Sequence, residues 1–184
     1  MPTWGWIVIA IAAVVVIGAI AWSAYRARQR RGLQERFGSE YDRTVADSPN
    51  RREAEAELTE REKRREELNI RPLDQRSRDR YTSQWKNAQE RFVDDPEAAV
   101  TDADRLIQEV MRERGYPVED FEQRATDVSV DHPEVVLNYR AAHEISRDND
   151  RGKASTEDLR KAMVHYGALF TELLETERAE SARA

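Results

Sequence analysis

LRKAMVHYGALFTELL, residues 159–174, is the stretch that decides the fold. Its apolar side chains recur at intervals of three and four residues, which is the period of an amphipathic α-helix. Just upstream, Ser155 and Asp158 have the spacing of a capping box, so the helix is predicted to begin there. The apolar face consists of Leu159, Ala162, Met163, Tyr166, Leu169, Phe170, Leu173 and Leu174.

The same helical period continues through the segments on the N-terminal side of this stretch. Asp94-Asp95-Pro96, Gly115-Tyr116-Pro117 and Asp131-His132-Pro133 separate them, because these residues cap helices or cannot continue them. No segment alternates with period two over the length of a strand. The fold class is therefore predicted to be all-α, with a bundle of about five helices over residues 69–176 and a disordered tail over residues 177–184.

The residues before the bundle are predicted to form basic juxtamembrane and charged spacer helices over residues 26–68. Leu33, Phe37, Tyr41 and Val45 recur every four residues and make one apolar stripe on the first helix. Ser48-Pro49-Asn50 is then predicted to end this helix.

Residues 51–68, RREAEAELTEREKRREEL, are almost wholly charged. Glutamate–arginine pairs four residues apart, such as Glu57 and Arg61, favour an exposed helix. The few apolar residues do not sustain a heptad seam. We expect a solvated spacer helix here, with pairing in a coiled coil as the alternative.

The first 25 residues carry no charged side chain and are predicted to form a transmembrane anchor over residues 1–25. The apolar run over residues 4–22 would span about 28 Å as a helix, close to the hydrocarbon thickness of a bilayer. Aromatic rings and arginines mark its ends, where they favour the membrane interface. The predicted membrane-interface residues are Trp4, Trp6, Trp22, Tyr25, Arg26, Arg28, Arg30 and Arg31.

The arginines follow the apolar run, so the positive-inside rule places the N-terminus outside the cell membrane and the bulk of the chain in the cytoplasm. A cleaved signal peptide is the alternative, but it would carry its positive charge before the apolar stretch, and none is present there. The arginines either set the topology alone or also hold anionic lipid headgroups.

The sequence carries no recognisable catalytic, metal or cofactor motif. It has no cysteine, which excludes disulfides, iron–sulfur clusters and a thiol nucleophile. No two of its three histidines, His132, His143 and His165, have the spacing that lets one helix bind a metal. We therefore expect no enzyme activity, no cofactor and no metal.

The charge of the bundle argues against nucleic acid as a partner. Residues 94–150 contain sixteen acidic and six basic side chains, a balance of −10. Such a surface repels a phosphate backbone. The predicted partners are the lipid bilayer and a protein whose identity the sequence does not give.

One polar set lies at the predicted helix ends, around the turn at Pro133. It is either a recognition site for a partner protein, or a structural junction in which Arg114 and Arg140 pair with Asp127 and Asp131. The set comprises Arg114, Asp127, Asp131, His132, Tyr139 and Arg140.

Residues 91–145, especially residues 92–96, 114–117, 129–133 and the residues Tyr139, Arg140 and His143, resemble a domain of small bacterial proteins of the actinobacterial type. Those proteins are membrane-anchored or secreted and have no assigned activity. The resemblance implies a bacterial origin and a tethered helical domain, and it implies no catalytic residue and no ligand.

Taken together, these features predict a single-pass membrane protein whose helical domain acts as a protein-interaction or scaffolding module. The alternative is a small-ligand binder or enzyme that uses residues 131–140.

Overall fold

The computed structural model describes the backbone of residues 3–181 and the side chains of residues 12, 14 and 16–174. Over that part of the chain there are seven α-helices and no strand, so the all-α prediction is confirmed. The helices are α1 (Thr3–Asp47), α2 (Arg51–Glu67), α3 (Gln75–Arg91), α4 (Pro96–Arg114), α5 (Phe121–Asp131), α6 (Pro133–Asp150) and α7 (Thr156–Ser181).

The helix ends follow from local capping chemistry. The Asp95 side chain accepts a hydrogen bond from Ala98 N at 3.2 Å, and Pro96 starts α4. Gly115 ends that helix in the left-handed region, at φ 99°. Ser155 Oγ accepts from Asp158 N at 3.2 Å, while Ser155 N donates to the Asp158 carboxylate at 3.3 Å. The predicted capping box at the start of α7 is therefore present.

Helices α3 to α7 surround the main core. Helices α4 and α6 pack on α7, α3 packs on α4, and α5 packs on α6. The Trp85 ring of α3 stacks on Phe170 of α7, with centroids 5.0 Å apart. A Cβ on Gly167 would lie 3.1 Å from the Trp85 ring, so the glycine leaves room for that ring against α7. Each large apolar side chain buried here contributes about 1.5–3 kcal/mol.

Helix α1 changes direction at Gly38, where φ is 47° and ψ is −123°. Before this residue α1 runs parallel to α2, since the ion pairs Arg30–Glu55 and Arg36–Glu62 advance together along both helices. After it, the chain runs antiparallel to α2, because Glu40 contacts Arg61 whereas Tyr41 contacts Glu55. The sequence predicted a juxtamembrane helix with one apolar stripe here, and the structure divides that helix at Gly38.

The apolar stripe of α1 packs into a second, smaller core with α2 and α5. Its members are Leu33, Phe37, Tyr41, Leu58 and Val130, with Val45 against them. Helix α2 is thus not the solvated spacer that its composition predicted. It packs on α1 and α5, and it buries Ala54, Leu58 and Arg61.

The remaining predictions concern the two ends of the chain. Within the described residues, no helix has both the length and the apolar character that crossing a bilayer requires. The side chains of residues 4–11, 13 and 15, which belong to the predicted anchor, lie outside the described residues. At the other end, α7 continues to Ser181, so the predicted tail is helical that far, and residues 182–184 lie outside the described part.

The turn at Gly38 gives a first prediction. Gly38→Ala places a Cβ where φ is 47°, 3.3 Å from the Glu134 carboxylate, in a backbone region that L-residues rarely adopt. We expect the free energy of unfolding to fall by about 1–3 kcal/mol. It is measured on the full chain in detergent micelles by urea titration, followed by circular dichroism.

Gly32→Ala is the matched control. Gly32 lies on the same helix, and a Cβ there would have no atom within 4 Å. We expect this substitution to be neutral or to stabilise the chain by about 0.5–1 kcal/mol. Equal effects of the two substitutions would show that the turn does not constrain α1.

Candidate functional site

The six polar residues predicted around Pro133 lie at the end of α4, in the second half of α5, at the turn before α6 and in the first half of α6. Four of them, Arg114, Asp127, His132 and Tyr139, are buried. The other two, Asp131 and Arg140, are partly buried. Because so little of these side chains reaches solvent, their contacts within the chain decide what they do.

His132 lies between Arg114 and Glu172. Arg114 Nη1 is 3.3 Å from His132 Nε2, and Glu172 Oε1 is 3.3 Å from His132 Nδ1. Since a guanidinium only donates, Nε2 accepts and the proton sits on Nδ1. Burial lowers the pKa of His132, and the Arg114 charge lowers it further, against the opposing effect of Glu172. The ring is therefore neutral at neutral pH.

Arg114 also ties α4 to α7, because its Nη1 donates to the Leu173 carbonyl at 3.1 Å. Arg114, at the end of α4, thus contacts both the turn before α6 and helix α7. These contacts give Arg114 a structural role.

Asp127 and Asp131 form ion pairs with two arginines of α2. Arg64 Nε donates to Asp127 Oδ1 at 2.9 Å, and Arg65 Nε donates to the Asp131 carboxylate. Asp131 also accepts from the Tyr116 hydroxyl at 2.7 Å, and burial, with the Asp131 charge, raises the pKa of that tyrosine. The cations that bind these carboxylates come from α2, whereas the sequence predicted Arg114 and Arg140.

Arg140 connects two carboxylates on different helices. Its Nη1 donates to Glu122 at 2.6 Å, and its Nη2 donates to Glu40 Oε1 at 3.3 Å. Glu40 is fully buried, and its Oε1 also accepts from Arg61 at 3.0 Å and from Arg43 at 3.4 Å. One buried carboxylate therefore joins α1, α2 and α6.

Tyr139 faces a different part of the interior. Its hydroxyl accepts from Arg124 Nε at 2.6 Å, and its ring packs on Phe121 at 5.1 Å between centroids. Burial raises the pKa of Tyr139, although the Arg124 charge opposes that rise. Tyr139 thus stays a neutral phenol that satisfies a buried arginine.

His143 stacks on Phe121 with centroids 3.6 Å apart. Its Nδ1 lies 4.0 Å from Asp104, which accepts from the Tyr166 hydroxyl at 2.8 Å. Burial alone would raise the pKa of Asp104, but His143 and Tyr166 outweigh it and the pKa lies below its usual value. His132, Tyr139 and His143 therefore have separate partners and do not converge on one point.

A cleft of about 120 Å³ opens beside Asp131 and His132, with Arg65, Arg114 and Pro72 among its walls. Ligand pockets are usually about 300–1,000 Å³ in volume, so this space is small for a substrate. Among the described residues no group of three or more histidine, aspartate or glutamate side chains is arranged to hold a metal ion.

The predicted membrane-interface residues belong to the N-terminal two thirds of α1. Trp22 and Tyr25 are both 62% exposed, and the Arg26 guanidinium lies 5.5 Å from the centre of the Trp22 ring. Arg28 and Arg31 are exposed, whereas Arg30 is half-buried. The side chains of Trp4 and Trp6 lie outside the described residues.

Sequence reasoning missed the residues of α1 and α2 that complete the junction, namely Glu40, Arg61, Arg64 and Arg65. Arg61 already had Glu57 four residues away, and the structure keeps that pair at 2.5 Å. A local partner therefore made a buried arginine look like a surface one. The spacing of residues along the sequence gives no sign of the second, distant partner of Arg61.

The Glu40 cluster gives a second prediction. Glu40→Gln removes the buried negative charge and leaves Arg61 and Arg140 without their shared carboxylate. We expect a loss of up to about 3–5 kcal/mol in the free energy of unfolding, the cost of breaking a buried ion pair. Arg61 and Arg140 each keep one other carboxylate, Glu57 and Glu122. Urea titration of the full chain in micelles measures the loss.

Glu57→Gln serves as the control, because Glu57 binds the same Arg61 but is 51% exposed. A surface pair contributes about 0–1 kcal/mol, so little change is expected. If both substitutions cost the same, burial of Glu40 has no energetic role.

Comparison of the chain with protein-family descriptions, with curated proteins and with solved structures finds no match. The resemblance to small actinobacterial proteins consequently remains a prediction from the sequence.

Proposed function

We propose that the chain is a single-pass membrane-anchored helical domain that acts as a protein-interaction or scaffolding module without catalytic activity. The anchor is the apolar N-terminal part of α1. The displayed domain is the bundle together with the α1–α2 segment that packs on it.

One observation carries the proposal: several described apolar side chains in the first half of α1 are largely exposed. Val14, Val16, Ile17 and Ile20 are 69%, 56%, 65% and 62% exposed. A contiguous apolar surface of this kind marks a membrane or protein contact. The run that contains them has the length of a bilayer span and carries no charge.

The position of the charges supports a cytoplasmic domain. Arg26, Arg28, Arg30 and Arg31 all follow the apolar run, and no charged side chain precedes it. Arginines beside a span are retained on the cytoplasmic side. The proposed orientation therefore has the N-terminus outside and the bundle inside.

The proposed interaction role takes account of the contacts that the polar junction residues make within the chain. Arg114, Asp127, Asp131 and Arg140 bind other residues of the chain, so they fix the junction between helices. A partner would then meet the outer surface of the bundle. Since residues 94–150 have a charge balance of −10, from sixteen acidic and six basic side chains, a protein with a basic or neutral surface fits best.

The anchor gives a third prediction. Val14→Asp places a charge in the apolar run, at a cost to insertion of about 2.5–3.5 kcal/mol near the centre of a span. We expect this variant to move from the membrane pellet towards the soluble fraction on ultracentrifugation. Val93→Asp is the control, because Val93 is an equally apolar and 83% exposed residue of the bundle. An unchanged distribution for Val14→Asp would contradict the anchor.

The interaction role gives a fourth prediction. A crosslinker that cannot cross membranes is applied to intact cells and, separately, to inverted membrane vesicles. We expect the same partner protein to be captured repeatedly from the inverted vesicles only. Capture from intact cells would overturn the orientation, and failure to capture any reproducible partner would overturn the interaction role.

A further inference from the structure

A basic cleft lies between the membrane-proximal part of α1 and the start of α2. Its volume is about 370 Å³. Four arginines line it, two from each helix, and Glu55 is its one acidic residue, so the lining carries a net charge of +3. The arginines are Arg26, Arg30, Arg51 and Arg52.

The parallel course of α1 and α2 creates this cleft. Arg30 Nε lies 3.8 Å from Glu55, which sets the two helices side by side. The first residues of α2 therefore stand next to the residues of α1 that follow the apolar run. The sequence separates these two pairs of arginines by more than twenty positions, and only the turn at Gly38 brings them together.

The end of α2 that borders the cleft is its amino terminus. Asn50 caps it by accepting from Glu53 N at 3.1 Å, and Arg51 and Arg52 are its first two residues. The positive end of the α2 dipole lies at this end of the helix. It adds to the charge of the arginines.

The cleft also sits at the level of the predicted membrane interface. The Arg26 guanidinium lies over the Trp22 ring, at 5.5 Å, and Trp22 closes the apolar run. The Arg30 side chain is 40% exposed although its Nε lies near Glu55, so part of its guanidinium remains accessible from the cleft. Guanidinium groups bind phosphate oxygens through paired, charge-assisted hydrogen bonds.

From these features we propose that the cleft binds the phosphate headgroup of an anionic phospholipid. This inference rests on the proposed membrane anchor, which would bring the cleft to the headgroup layer. Arg51 and Arg52 belong to α2 and are distant in sequence from the apolar run, so membrane orientation does not account for them. Binding of a lipid phosphate would give them a role. The bound lipid would fix α2 against the membrane surface.

The test compares two charge-matched variants of the full chain. Arg51→Gln with Arg52→Gln removes two cleft arginines. Arg28→Gln with Arg31→Gln removes two exposed arginines of the same basic segment that do not line the cleft. Each protein is placed in phosphatidylcholine nanodiscs with graded fractions of phosphatidylglycerol, and the retained phosphatidylglycerol is counted by native mass spectrometry.

We expect the cleft variant to bind phosphatidylglycerol about 30-fold more weakly, because it loses the charge-assisted hydrogen bonds of two arginines to the bound phosphate. The control variant should change affinity far less. Equal losses in the two variants would mean a diffuse charge effect and would overturn the proposed site.

Two further measurements distinguish failure of the proposed anchor from failure of the proposed lipid site. Incorporation of the chain into discs of phosphatidylcholine alone reports on the anchor, so failure there counts against the membrane function itself. Normal incorporation without preference for phosphatidylglycerol counts against the cleft only. Displacement of phosphatidylglycerol by inorganic phosphate at a comparable concentration would assign the cleft to the free anion and overturn the lipid as its ligand.

Discussion

The arrangement of the N-terminal third depends on the buried carboxylate of Glu40. It is fully shielded from solvent and accepts from Arg61 and Arg140, which belong to α2 and α6. A buried charge is stable only when its partners surround it, so these helices have few alternative positions. Gly38 lies just before Glu40 and provides the turn that delivers the carboxylate to this place.

The molecule therefore has two parts that are stabilised by different kinds of contact. Helices α3 to α7 share a large apolar core, whereas α1 and α2 meet α5 and α6 through a small apolar cluster and several ion pairs. Ion pairs define orientation more strictly than apolar contacts, because their geometry is directional. They need not add much stability, since desolvation offsets their attraction. The junction is thus specific in geometry, while the apolar core supplies most of the stability.

The sequence predicted the helix ends well because capping is local. Asp95, Gly115 and Ser155 act on backbone groups within a few positions, and each does so in the structure. The candidate site was predicted only in part. Arg114, Asp131 and His132 lie at helix ends, whereas Asp127, Tyr139 and Arg140 lie within α5 and α6. The carboxylates of Asp127 and Asp131 bind arginines of α2, more than sixty positions away.

The errors share one physical cause. A charged residue can be satisfied by a neighbour four positions away or by one brought near through folding, and the sequence shows only the first. Arg61 has both kinds of partner, Glu57 and Glu40. Gly38 was missed for a related reason, because the apolar stripe keeps its four-residue spacing from Leu33 to Tyr41 across the turn.

The same turn determines where opposite charges lie on the molecule. By folding α2 back beside α1, it gathers arginines at one end, while the net negative charge belongs to residues 94–150 of the bundle. Beside an anionic leaflet, the arginine end is attracted and the acidic bundle is repelled, each within about 10 Å of the surface at moderate salt. The two forces act in the same sense and orient the domain away from the membrane. On the proposed anchor, the bundle would therefore stand free to meet a partner, and the buried Glu40 cluster is what transmits that orientation from α2 to the bundle.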